Sequence, residues 1–82
     1  MPTVLWIGGL RVVVYPNDHR PAHVHVIGLG HEAVFVLNSS KGTAELRENY
    51  GFSRHDLAKI ALQLIENLAL LSREREMIHG QD

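Results

Sequence analysis

The sequence predicts an α+β fold, an antiparallel sheet of four strands, with room for a fifth, and one long C-terminal helix packed on one face. Short β-branched runs fill the first half of the chain and are parted by glycines that suit tight hairpin turns. From Arg54 to about Met77 glycine and proline are absent, and apolar residues recur at three- and four-residue steps. The chain has 82 residues, room for one core only, so sheet and helix are expected to cover each other within a single domain, 1–82.

The elements follow in order. Thr3 to Ile7 and Leu10 to Tyr15 flank Gly8-Gly9, so a two-residue loop sets Ile7 opposite Leu10, Trp6 opposite Arg11 and Leu5 opposite Val12. Pro16 to Pro21 cannot continue a central strand, since proline lacks a donor and Asn17-Asp18 favours a turn. Strand character returns over Ala22 to Ile27, with Ala22, Val24 and Val26 on one face and His23, His25 and Ile27 on the other. Gly28-Leu29-Gly30 is a second turn, of two or three residues, leading into His31 to Leu37.

A polar loop over residues 38–42 precedes a short edge strand at Thr43 to Leu46, which would close the sheet at about residues 3–46. Residues 49–52 read as a linker. Ser53 is placed as an N-cap, with Asp56 three residues on. The helix is expected over about 54–77. Leu57, Ala61, Leu64, Leu68 and Leu71 form its core stripe, widened by Ile60 and Ile65. Ala58, Leu62, Ala69 and Leu70 fall outside that stripe, so the helix is apolar on more than one face. At 1.5 Å per residue it would run roughly 35 Å, against roughly 20 Å for a six-residue strand.

Composition removes several function classes. Net charge is -1 with histidines neutral, which disfavours nucleic acid as a partner. Arg11 and Arg20 are the basic residues best placed for a phosphate. No long apolar run or basic leader marks a membrane span or signal peptide, so the expected location is the cytoplasm. Cysteine is absent, which leaves disulfides and thiolate metal sites out.

Chemistry concentrates in residues 16–27, where His19, His23 and His25 fall within seven positions. Strand geometry sends His23 and His25 from one face with Cα atoms about 6.5 to 7 Å apart. Two imidazoles so placed can ligate Zn²⁺ or another divalent transition metal, with His19 turning back as a third ligand. Asp18, Glu32 or His55 would be a further ligand or would orient a histidine from behind. The competing reading makes all three histidines structural or interfacial: two amphipathic positions on a strand face and one turn residue. His31 is expected in solvent, His79 in a frayed tail, and Tyr15 and Tyr50 at the rim of the core.

The opening Met1 to Arg11, the block Asn17-Asp18-His19-Arg20-Pro21-Ala22-His23-Val24-His25-Val26 and the run Asn49-Tyr50-Gly51-Phe52-Ser53 resemble the small prokaryotic domain-of-unknown-function family numbered 4160. The family usually has two prolines before the second histidine, where this chain has Pro21-Ala22. Its connection after the fourth strand tends to be shorter, which makes Asn38 to Thr43 a small insertion here. The resemblance implies a bacterial protein, often encoded beside another small protein in a toxin–antitoxin-like arrangement, and it brings no established catalytic residues.

Two functions compete on these grounds. One is a non-enzymatic interaction module, with the neighbouring gene's product as partner. The other is a metal-dependent hydrolase or nuclease using His19, His23 and His25. Whether the chain is an enzyme stays open between them. A homodimer is expected as well, two-fold and including Leu62 or Leu70, because a domain this small cannot bury two apolar helix faces alone.

Overall fold

A computed structural model describes residues 3–14, 23–38, 40–71 and 73. The strands are β1 (Thr3–Ile7), β2 (Leu10–Val13), β3 (His23–Gly28), β4 (His31–Asn38) and β5 (Thr43–Tyr50), followed by helix α1 (Arg54–Glu66). They form one five-stranded antiparallel meander in the order β1-β2-β3-β4-β5, which puts the histidine strand β3 at its centre.

Turn chemistry sets the register. Gly8, at φ 58°, starts the first turn and pairs Ile7 with Leu10, Trp6 with Arg11 and Leu5 with Val12, the expected register. The second turn is a two-residue loop, Leu29-Gly30, joining Gly28 to His31. Both of its residues take positive φ, 56° and 76°, as a type I′ hairpin requires. A leucine in that conformation is unusual, because its Cβ crowds the following carbonyl.

The fifth strand is longer than expected. It runs on to Tyr50, so Asn49 and Tyr50 belong to the sheet and not to a linker. The pairing passes from Val34–Glu48 to Phe35–Leu46, and Arg47 is the extra residue of a bulge. That extra residue and the charges of Glu45, Arg47 and Glu48 hide the strand's period in the sequence. Asn49 then closes the chain's exit: its Oδ1 accepts the Phe52 N–H at 3.1 Å and its Nδ2 donates to the Phe52 carbonyl at 3.0 Å.

His31 departs from expectation too. It is half-buried, its ring edge-on to Phe52 with centroids 5.2 Å apart. Its other neighbour is Gly51, where a Cβ would fall 2.2 Å from His31 Nδ1. Tyr50, expected at the rim of the core, is 61 % exposed and donates its hydroxyl hydrogen to Glu48 Oε1 at 3.2 Å.

Helix α1 begins as the sequence indicates, with Ser53 Oγ accepting the Asp56 N–H at 3.1 Å. The continuous helix to about Met77 is corrected by Asn67. Its backbone leaves helical values, φ -113° and ψ 18°, its N–H reaches the Leu64 carbonyl at 3.1 Å, and its Nδ2 donates to the Gln63 carbonyl at 2.8 Å. Asn67 thus satisfies two of the end carbonyls, Gln63 through its side chain and Leu64 through its backbone N–H. Helical conformation resumes over 68–71, where the Leu71 N–H donates to the Asn67 carbonyl at 2.9 Å. The expected stretch beyond 73 lies outside the described residues. Thirteen residues make α1 about 20 Å long, a match for the strands rather than an overhang.

The core sits between α1 and the sheet face carrying Val12, Val24, Val26, Phe35 and Leu37. Ile60 and Leu64 meet that face from α1, and Leu68, Leu71 and Phe52 extend the cluster. Leu57 and Ala61 are only partly buried at its margin. Ile65 does not widen the stripe: it is 38 % exposed. Among the described residues no helix is long and apolar enough to cross a membrane.

Candidate functional site

Alternation along β3 turns Val24 and Val26 toward the helix and His23 and His25 toward the opposite face. His23 pairs across the sheet with Val36 and His25 with Val34. The two rings stand 5.5 Å apart between centroids, inclined at 57°. His23 is buried and His25 half-buried, so the pair runs from the sheet interior toward solvent.

Glu32 completes the visible arrangement. It pairs with Ile27, two residues along from His25, and therefore sits on the diagonal that long side chains can span. His25 Nδ1 lies 2.9 Å from Glu32 Oε2. An ionised carboxylate can only accept, so this pairing selects the ring form carrying hydrogen on Nδ1. A carboxylate behind one ring nitrogen is also how metal-ligating histidines are held in orientation.

The structure thus joins three of the sequence-predicted site residues, His23, His25 and Glu32, on one face of the central strands. It does not join His55 to them. That residue is exposed on the first turn of α1, and α1 packs on the valine side of the sheet. His19 and Asp18, with Arg20 and Tyr15, lie outside the described residues. Among the described residues no group of three or more His, Asp or Glu side chains is arranged to hold a metal ion.

A second feature escaped the sequence reading. A cleft of about 680 Å³ opens where the β1–β2 turn, the β3–β4 turn and α1 meet. Its lip carries three large exposed apolar side chains, Trp6, Leu29 and Leu62, at 61, 80 and 55 % exposure. Ile7, Leu10, Phe52 and Ile60 line it further, while Asp56, Lys59 and Gln63 give its helical wall a polar edge. The available signal was Leu29 itself: a two-residue turn normally takes asparagine, aspartate or glycine at that position.

Of the known protein families, the one described as "Domain of unknown function (DUF4160)" matches residues 9–78. No curated protein and no solved structure matches the chain.

Proposed function

The chain belongs to that domain-of-unknown-function family, DUF4160, and since the name carries no activity we propose that the protein is a non-enzymatic interaction module of the bacterial cytoplasm. It presents the lip of the hairpin-end cleft to another protein chain. One observation carries this reading: Leu29 is strained and exposed together. Left-handed backbone costs a leucine roughly 1–2 kcal/mol, and an 80 % exposed side chain recovers little of that by burial. A residue that costs the isolated fold on both counts fits a role in contact with something else. Trp6 and Leu62 on the same lip support it.

The partner that this reading names is the product of the neighbouring gene, in a toxin–antitoxin-like pair. Co-expression of the two proteins tests it: the partner should co-purify with the wild type and be lost with Leu29→Asn. Retention by both proteins, or by neither, would contradict the reading.

The His25–Glu32 pair favours a second reading, a zinc-type site in which His23 and His25 ligate and Glu32 orients His25. Such a site would equip a hydrolase or nuclease. Elemental analysis of untagged protein, with melting curves in added zinc, decides it. Stoichiometric metal, with a stabilisation lost in His23→Ala/His25→Ala, supports the site, and an unmoved melting temperature removes it.

A further inference from the structure

Helix α1 carries a second apolar stripe that its own sheet does not use. Ala58, Leu62 and Ile65 recur at steps of four and three residues, and all three are exposed. They lie across the helix from Ile60 and Leu64, which are buried. Lys59 and Glu66 flank one side of this stripe, seven residues and therefore about 10.5 Å apart along the axis. Both are exposed, and neither has an ion-pair partner among the described residues.

We infer that this face of α1 docks against the same face of a second copy of the chain, antiparallel and centred on Leu62. Charge placement selects both the occupant and the direction. A two-fold axis across the helices brings like flank to like flank, so Lys59 of one copy meets Glu66 of the other, twice over. The same operation sets Ala58 against Ile65, a small residue receiving a large one, and Leu62 against itself. The midpoints of both pairs fall within about half a residue of Leu62, so one axis satisfies all three contacts. A parallel two-fold pairing would set this flank against the opposite flank of the partner helix, so Lys59 and Glu66 would not meet and the charge match would be lost. This contact shares Leu62 and Lys59 with the helical wall of the cleft, whereas Ala58, Ile65 and Glu66 lie outside the cleft's lining.

Light scattering at micromolar concentration tests the inference through charge exchange. The wild type should give a mass near twice 9.2 kDa. Lys59→Glu and Glu66→Lys should each weaken the dimer by at least about tenfold, because both symmetric pairs turn repulsive at once. An equimolar mixture of the two variants should restore it, since the carboxylate introduced at position 59 then meets the ammonium introduced at position 66. The double variant should dimerise alone. Both sites are exposed, and circular dichroism of each variant checks that the fold is kept. A wild type at 9.2 kDa overturns the inference even if that monomer captures the neighbouring gene's product, in which case the interaction-module reading stands. Single variants that dimerise like the wild type, or a mixture that stays monomeric, overturn it too.

Discussion

Replacing Leu29 by asparagine should make the isolated protein more stable, and the size of the gain follows from the turn. Leu29 stands at φ 56° in a two-residue loop whose second residue is glycine. A left-handed leucine costs roughly 1–2 kcal/mol, and asparagine relieves much of this because its short polar side chain bonds locally. Against that stands the burial lost. Leu29 is 80 % exposed, so about a fifth of a leucine's roughly 2 kcal/mol is at stake, or about 0.4 kcal/mol. The net expectation is a gain of about 0.5 to 1.5 kcal/mol, and each ~1 kcal/mol raises the melting temperature of a domain this size by about 4–8 °C. Urea titration at a dilution where the chain is monomeric measures it, since self-association through any face would otherwise add to stability. A loss of more than about 0.5 kcal/mol would refute the reasoning, because Leu29 would then be supporting the fold rather than being carried by it.

Other perturbations separate the faces of the molecule. Leu64→Ala should cost about 2–5 kcal/mol in denaturant unfolding, whereas Leu62→Ala, on the outward face, should stay within about 0.5 kcal/mol for the monomer. Gly51→Ala should cost about 2 kcal/mol or more, since φ is 109° and the new methyl meets His31 Nδ1. Gly8→Ala, with open space around it, should cost only the backbone strain of about 1 kcal/mol. The Glu48 carboxylate repels the Tyr50 phenolate and accepts its hydrogen bond, and so holds Tyr50 above its ordinary value of 10.0. Any stability from that pair is fully present below pH 10.0 and is lost as pH rises through the raised value. In Glu48→Gln the Tyr50 ring resonance should titrate at lower pH than in the wild type.

What the sequence revealed tracks how local the determining chemistry is. The first hairpin's register was legible because two glycines fix the loop length and Gly8 supplies the positive φ of the turn, and the helix start because Ser53 and Asp56 sit at capping positions. The far half of β5 was hidden by its bulge and by the solvent-facing charges of an edge strand, which erase the alternation that marks a half-buried one. The helix end was missed for lack of a glycine or proline, although Asn67 held the signal in its ability to bond the backbone behind it. His31 looked solvent-bound because only tertiary packing brings Phe52 and Gly51 beside it. In the histidine cluster, strand periodicity put His23 and His25 on one face, and the choice of Glu32 over His55 as their neighbour needed the β3–β4 register.

The central claim is that the cleft lip around Leu29 exists to meet another protein chain. Native mass spectrometry of the untagged protein, co-expressed with the neighbouring gene's product, tests it most directly when the wild type and Leu29→Asn are compared. The account predicts a stoichiometric complex for the wild type and free chains for the variant, although the variant is the more stable fold. An unbound wild type, or a complex that ignores the substitution, would contradict it.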